Sequence, residues 1–387
     1  VAAWSIGPVI DWLLHEGRHL AAPEALVGEL CARVRAAGMP IDRVAFFFGT
    51  LHPQYIGIAM YWDGANVRVL EASYQMGETD ELRNSPPRRI TEGERVIRRR
   101  LERADCPVDF PVLEELRAAG ITDYVIVEVV FGNGSRNSVS LATRRAGGFT
   151  NHDIAEVERL LHPFGMAMEI HVGRALSRTL LDTYLGKISG RRVLEGQIKR
   201  GDGEEIDAVI WFSDLRDSTP LSRALGERRF LEMLNDYFEA TAGAVPAHGG
   251  EVLRFIGDAS LAVFPLAAGG ARDACERAVR AARMARTRAA AVNAARQAAG
   301  LPRFSCGIGL HLGRVLYGNI GTPERLEFSV IGAAANEAAR IEALCKQTGQ
   351  DVVLSSTVAA ALVTPCRSLG RFALRGVEQP EEVFALA

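Results

Sequence analysis

The chain has 387 residues, 48% hydrophobic and 24% charged, with a formal net charge of −2. That length suggests two domains, and the composition is that of a globular protein with apolar material for two cores. The near-neutral charge gives no electrostatic case for nucleic-acid binding, no apolar run reaches the length of a membrane span, and the N-terminus does not read as a signal peptide. The six cysteines (Cys31, Cys106, Cys275, Cys306, Cys345, Cys366) form no CxxC pair and no metal-type spacing. They read as reduced core residues of a cytoplasmic protein. Arginines from Arg272 to Arg296 lie in an Ala-rich helical pattern and read as a solvated helix face.

Ile6–Leu14 and Pro23–Ala37 carry apolar residues at helical spacing. Ile41–Gly49 and Tyr55–Trp62 read as strands, with Asp63-Gly64-Ala65-Asn66 as the turn before Val67–Leu70. Met76–Arg88, polar and containing Pro86-Pro87, reads as a loop, Glu92–Glu102 as helical, and Val112–Ala119 as a short helix ended by Gly120. Tyr124–Phe131, Gly132-Asn133-Gly134 and Val139–Thr143 form a hairpin signal. Thr150 with Asp153 opens a helix that runs toward Leu185, with a kink expected near Pro163. Its apolar stripe (Ile154, Val157, Leu160 or Leu161, Phe164, Met168, Val172, Leu176, Leu180) suits a signalling helix, and ordinary core packing explains it equally well. Gly186–Glu205, rich in Gly, Lys and Arg, reads as a short ordered connector. His52, His152, His162, His171 and Cys106 are the residues to weigh for a haem or bilin; each reads better as an ordinary surface or helix-face residue.

The second half is organised around Asp207–Phe264. The apolar, β-prone run Ala208–Phe212 leads through Ser213 to Asp214. Two further apolar runs, within Glu251–Pro265, meet at Gly257-Asp258, which places a second carboxylate at a hairpin tip. A helical pattern through Phe230, Leu231, Leu234, Tyr237, Phe238 and Thr241 separates them. Strand, helix and hairpin can set the two strand ends side by side, so that Asp214 and Asp258 share a metal site. Paired carboxylates suit phosphoryl or nucleotidyl transfer, because Mg²⁺ is held by one or two carboxylates plus phosphate oxygens. Beyond lie helix Ala271–Ala299, strands Phe304–His311, Val315–Ile320 and Leu326–Ile331, helix Ala333–Cys345, and a final strand–helix–strand–strand region. Two βαβ-like pieces around an antiparallel sheet give an α+β, ferredoxin-like plan.

Phe212-Ser213-Asp214-Leu215 with Ser218-Thr219, and Phe255-Ile256-Gly257-Asp258, resemble the catalytic domain of the class III nucleotidyl cyclases. Phe328-Ser329-Val330-Ile331-Gly332, followed by Asn336 and Arg340, resembles that family's segment for base, ribose and phosphates. The resemblance covers 207–387 and implies a homodimer with two composite sites. In each, Asp214, Asp258 and the Leu215 carbonyl of one subunit bind two Mg²⁺ or Mn²⁺ ions. One ion acidifies the ribose 3′-hydroxyl and the other holds the phosphates. The 3′-oxygen attacks the α-phosphorus and pyrophosphate leaves. The other subunit supplies Asn336 for the ribose and Arg340 for the α-phosphate. Arg375 falls where the family often has a basic group for the triphosphate. Taken alone, Arg340 reads as the partner of Glu337 or Glu342 in a helix-face ion pair.

Adenylate cyclases of the family usually have Lys where this chain has Arg254, and Asp, Thr or Ser where it has Ser329. Ser329 fits an adenine pocket. Guanylate cyclases typically have Glu at the first position, and Arg254, always a donor, cannot replace its acceptor. The resemblance therefore implies an adenylate cyclase acting on ATP. A guanylate cyclase, or a catalytically weak dimeric nucleotide-binding signalling protein, stays open; the lack of a Gly-Gly-(Asp/Glu)-Glu-Phe run argues against a diguanylate cyclase. Upstream, residues 1–150 have the element order of a GAF domain, with a PAS-type sensor as the rival, and 151–206 form the signalling helix and connector. A small-molecule effector of unspecified chemistry, or a ligand-free dimerisation role, fits the sensor domain.

Overall fold

The computed structural model describes residues 4–386. The chain forms two compact units, one ending at Leu180 and the other starting at Leu181. In the first, helices α1 (Gly7–His15) and α2 (Pro23–Ala36) precede strands β1 (Arg43–Gly49), β2 (Tyr55–Trp62) and β3 (Val67–Ser73). The segment expected to be a loop instead holds three short helices, α3 (Tyr74–Gly77), α4 (Asp80–Arg83) and α5 (Pro86–Glu92). Ser73 and Thr79 cap the first two through their hydroxyls. Pro86 opens the third at a position where its missing N–H costs nothing.

Glu92–Glu102, expected to be helical, contains instead strand β4 (Val96–Arg99). Gly93, at φ +133°, follows α5, and Ile97 is buried opposite Ile126 in the sheet. Tertiary pairing thus overrides a charged run that reads as helical. Helix α6 (Pro111–Ala118), strands β5 (Asp123–Val130) and β6 (Arg136–Thr143) and helix α7 (Asn151–Leu185) follow. Helix α7 runs through Pro163 as one element. The six strands lie in the order β3-β2-β1-β6-β5-β4, every neighbouring pair antiparallel. Alternation along β5 feeds two cores: Val125, Val127 and Val129 face one with Phe164 and Met168, while Tyr124 and Ile126 face another with Leu113 and Leu116.

The second unit begins with helix α8 (Lys187–Leu194), in the stretch read as connector. Strand β7 (Gly203–Leu215), helices α9 (Ser218–Leu225) and α10 (Glu227–Ala240), hairpin β8 (Glu251–Ile256) and β9 (Ala259–Pro265), and helix α11 (Gly270–Ala298) follow. Strand β10 (Cys306–Gly321) is continuous where two strands were expected, because Leu312, Gly313 and Arg314 stay in register opposite Val209, Ala208 and Asp207. Strand β11 (Leu326–Ile331), helix α12 (Ala333–Thr348), strand β12 (Val352–Ser355), helix α13 (Ser356–Ala361), and strands β13 (Cys366–Phe372) and β14 (Glu381–Leu386) complete the chain. The sheet order is β13-β14-β12-β10-β7-β9-β8, with β11 paired to β10. Its β10-β7-β9-β8 portion, with helices crossing over after β7 and β9, is the ferredoxin-like plan. None of the described helices is long and apolar enough to cross a membrane.

A buried network ties α8 to this sheet. Glu251 accepts hydrogen bonds from the N–H groups of Ile188 (3.0 Å) and Ser189 (2.8 Å) and from the Tyr317 hydroxyl. Ser189 Oγ lies 3.0 Å from the Tyr317 hydroxyl oxygen. Further along, Asn319 Nδ2 donates to the Gln197 carbonyl at 2.8 Å. Glu251 begins the strand that leads to Asp258, so one carboxylate fixes both the α8 N-terminus and the root of the β8–β9 hairpin. Glu251→Ala removes the acceptor of three donors, two of them buried, and should lower the unfolding free energy of this unit by about 3 kcal/mol, read by urea denaturation. Tyr317→Phe should cost about 1 kcal/mol. An unchanged midpoint in Glu251→Ala would show that the network carries no stability.

Candidate active site

Asp214 sits near the end of β7, opposite Ala259 on one side and Gly307 on the other. Asp258 immediately precedes Ala259 in the hairpin turn, where Gly257 at φ +65° supplies the left-handed residue a two-residue turn needs. The two carboxylates therefore face each other at one end of the sheet. Burial pushes the Asp214 pKa up, and the neighbouring Asp258 charge pushes it further. The Leu215 N–H donates to Asp214 Oδ1 at 3.0 Å. Behind the pair, Ser213 Oγ lies 2.8 Å from Ser260 Oγ and accepts from the Tyr237 hydroxyl at 3.2 Å, which ties β7, β9 and α10 together. Asp217, three residues on, is the one non-glycine residue with positive φ among the described residues, and Lys346 of α12 donates to it at 3.2 Å.

A third carboxylate lies close to this pair. Glu342 of α12 is buried, and a Cβ added at Gly307 would meet its Oε1 at 2.2 Å. Burial first, then the Asp214 charge, raise its pKa to about 7. Helix α12 reaches this depth because β10 offers glycines beneath it. A Cβ at Gly309 would meet the Glu342 backbone nitrogen at 2.5 Å, and one at Gly313 would meet the Ala334 Cβ at 2.6 Å. His311 pairs with Glu337 at 3.2 Å across the same contact.

Asn336 is exposed and Arg340 half-buried on α12, four residues apart and so on one face. The helix-face ion pair of Arg340 is not formed: Glu337 pairs with His311, and Glu342 is buried on the sheet side. Arg340 instead lies beside the turn after β13, its Nη2 being 3.6 Å from where a Gly376 Cβ would stand. The exposed Arg375 precedes that glycine. The structure thus brings the Arg340 and Arg375 segments together. No hydrogen bond or ion pair among the described residues joins Asn336 or Arg340 to Asp214 or Asp258.

Arg254 follows an irregularity in β8, where Val252 is opposite Ala262 and Arg254 opposite Leu261. Such a bulge re-aims the side chain. Its Nη1 donates to Glu327 of β11 at 2.9 Å, while its Nε is buried without a partner. Ser329, two residues along the same face of β11, is 1% exposed, and its Oγ also lacks a partner. Arg254 and Ser329 therefore present two buried polar atoms that no protein group satisfies. Sequence reasoning did not assign Glu327 to this group. It also left Glu342 as a helix-face residue, because both placements depend on packing between elements distant in sequence.

A sheet with paired carboxylates at its end suits metal-assisted phosphoryl or nucleotidyl transfer. Residues 203–387 match the family model described as the adenylate and guanylate cyclase catalytic domain, and this C-terminal stretch belongs to that family. Adenylate cyclase 1 of Rhizobium meliloti (strain 1021) is 32% identical over 169 residues, 44% of this chain and 24% of that protein. An adenylate cyclase of Anabaena cylindrica is 34% identical over 179 residues, 45% of this chain and 34% of that protein. The chain thus spans about a quarter to a third of the length of these relatives. Among solved structures, the adenylyl cyclase CyaB from P. aeruginosa is 23% identical, with a TM-score of 0.45 over 48% of this chain and 96% of that one.

Glu342 leads to a pH prediction for the metal-free chain. The folded state keeps its proton where the unfolded state has lost it. Its contribution to stability therefore falls as pH rises from the ordinary value of 4.5 to about 7, then levels off. Glu342→Gln should remove that decline and raise stability above pH 7 by at most about 3 kcal/mol, measured by urea unfolding in chelator. Parallel pH profiles for the two proteins would exclude Glu342 as the titrating group.

Proposed function

We propose that the chain is a sensor-regulated adenylate cyclase of the cytoplasm, converting ATP to 3′,5′-cyclic AMP and pyrophosphate at sites shared between two copies. The observation that carries this reading is the facing pair Asp214 and Asp258, with the pKa of Asp214 raised by burial and by its neighbour. The pair fits Mg²⁺ or Mn²⁺: its donors are hard oxygens and their mutual repulsion favours a cation. Asp214, Asp258 and the Leu215 carbonyl would hold two such ions. Bound there, the ions supply the positive charge that acidifies a ribose hydroxyl and screens the triphosphate.

The remaining residues bind and orient. Arg340, free of any carboxylate among the described residues, neutralises charge on the α-phosphate, and Arg375 beside it takes the outer phosphates. Asn336 orients the ribose. Arg254 Nε–H donates to a ring nitrogen of adenine, and Ser329 Oγ accepts from the exocyclic amine; both atoms lack other partners. The resemblance to class III cyclases favours a site in which one copy supplies Asp214 and Asp258 and a second copy supplies Asn336 and Arg340. The two relatives named above are called adenylate cyclases, which favours ATP. One observation favours GTP as the second reading: Glu327, held at Arg254, offers the acceptor that guanine N1–H and N2–H require.

The N-terminal unit supports a GAF-like sensor role through its order of helices, antiparallel strands, short helix, hairpin and long exit helix. Helix α7 then acts as the signalling helix, and residues 186–205 as the connector.

Full-length protein with Mn²⁺ or Mg²⁺ should make cyclic AMP from ATP, and Asp214→Ala should lower turnover by at least about 100-fold while the dimer persists. Formation of cyclic GMP alone would transfer the assignment to GTP. Absence of product from either nucleotide in the full chain and in residues 207–387 would leave the fold as a nucleotide-binding module. Mixing Asp214→Ala with Arg340→Ala in equal amounts tests the shared site. Random exchange should restore about a quarter of wild-type activity, because half the dimers then hold one intact site of two. No recovery in verified mixed dimers would place both residues in one chain's site. Arg254→Lys should keep ATP turnover within about threefold if the group serves as a simple donor; a much larger loss would mean that the pocket needs the guanidinium.

A further inference from the structure

The sheet of the N-terminal unit has two unequal faces. Along β1, Val44, Phe46 and Phe48 enter the core beneath α1, α2 and α7. The residues between them, Arg43, Ala45 and Phe47, point the other way. Ala45 lies opposite Tyr61 on β2 and Ser140 on β6, and Phe47 lies opposite Ala59 and Ser138. Alanines and serines thus occupy the middle of a face whose reverse side carries valines and phenylalanines. They leave a cavity of about 490 Å³, walled by Met76, Leu82 and Pro86 from the short-helix segment. That is the size of a small-molecule site, and its walls are mainly apolar.

Charge within the cavity is uneven. Arg88 is engaged by Glu92 at 2.8 Å and Arg136 by Glu128. Glu81 is exposed at the rim. Arg43 is half-buried on the floor and has no hydrogen-bond or ion-pair partner among the described residues. Its guanidinium stands 5.6 Å from the Tyr61 ring centroid, with Arg68 over the same ring at 5.3 Å. An arginine beside an apolar, aromatic-lined space recognises a planar anion, through paired N–H donors, better than it recognises a neutral group.

We propose that this cavity binds a compact organic acid, its carboxylate on Arg43 and its flat apolar body against Tyr61, Phe47 and the small residues between them. The binding claim rests on the cavity alone; only its consequence for turnover rests on the cyclase reading. The two are therefore tested separately.

Isothermal titration of the full chain with 2-naphthoate and its neutral isostere 2-naphthamide gives the first test. One naphthoate per chain should bind, at least about tenfold tighter than the amide. Arg43→Met should bring the acid down to the amide's affinity and leave the amide within about twofold. Ala45→Leu, which fills the floor, should abolish binding of both; Ala59→Val serves the same purpose if the larger change prevents folding, as judged by circular dichroism. Equal affinity of acid and amide, an acid preference surviving in Arg43→Met, binding retained in a folded cavity-filled variant, or no binding of either compound would each overturn the proposal. Cyclic nucleotide production is then measured with and without naphthoate. Binding without any change in turnover would leave the site standing and remove the regulatory reading.

Discussion

Strand β7 is hydrogen-bonded along both edges, to β10 from Leu215 opposite Cys306 down to Gly203 opposite Gly318, and to β9 from Asp214 opposite Ala259. Both of its faces are buried. Val209 and Trp211 join the core under α11, and Ala208 and Ile210 join the core with Val315 and Phe328. A slip of one residue in either ladder would exchange these two sets and turn Asp214 to the opposite face. The position of the first carboxylate is thus a consequence of how the centre of the sheet is packed. The second follows from it, because Asp258 stands one residue before the β9 end that pairs with Asp214.

Holding these groups together carries an electrostatic cost. Asp214, Asp258 and the buried Glu342 gather negative charge where desolvation already disfavours it, and the pKa values of Asp214 and Glu342 rise accordingly. Neutral hydrogen bonds stiffen the site from behind, through Ser213, Ser260 and Tyr237, without cancelling the charge. A cation or a proton relieves the repulsion, so occupancy of the site and stability of the unit are linked. The glycines of β10 make the arrangement steric as well. With side chains at Gly309 or Gly313, α12 would be pushed away from the strand, carrying Glu342, Arg340 and Asn336 with it.

Much of this was legible in the sequence wherever a local rule decided the outcome. The run ending at Asp214, the turn at Gly257-Asp258 and strand Leu326–Ile331 follow from apolar patterning and turn chemistry, and the structure has them. The errors arose where a local signal had two readings. Pro86-Pro87 suggested a loop, yet proline also starts helices. The charges around Val96–Arg99 suggested a helix, yet Ile97 has a slot opposite Ile126 that makes the segment a strand. Glu251, Glu327 and Glu342 were illegible for a different reason. Each is an ordinary glutamate in sequence, and its role comes from a contact made across the fold.

Arg254 shows how much a single motif position depends on its surroundings. In sequence it is a lone donor that departs from the family's usual lysine and lacks the acceptor that guanine N1–H and N2–H require. In the structure it is half of a pair with Glu327, next to a buried hydroxyl at Ser329. The group as a whole offers a donor, a carboxylate acceptor and a hydroxyl that does either. Both purines present an acceptor beside a donor on the edges such a group would read, so the polarity of this group favours a purine of either kind. In the proposed pocket, discrimination between them depends on where the guanidinium is held, and that is set by the bulge in β8 together with the Glu327 contact. Base choice there is accordingly a property of three side chains on two strands, Glu327 among them.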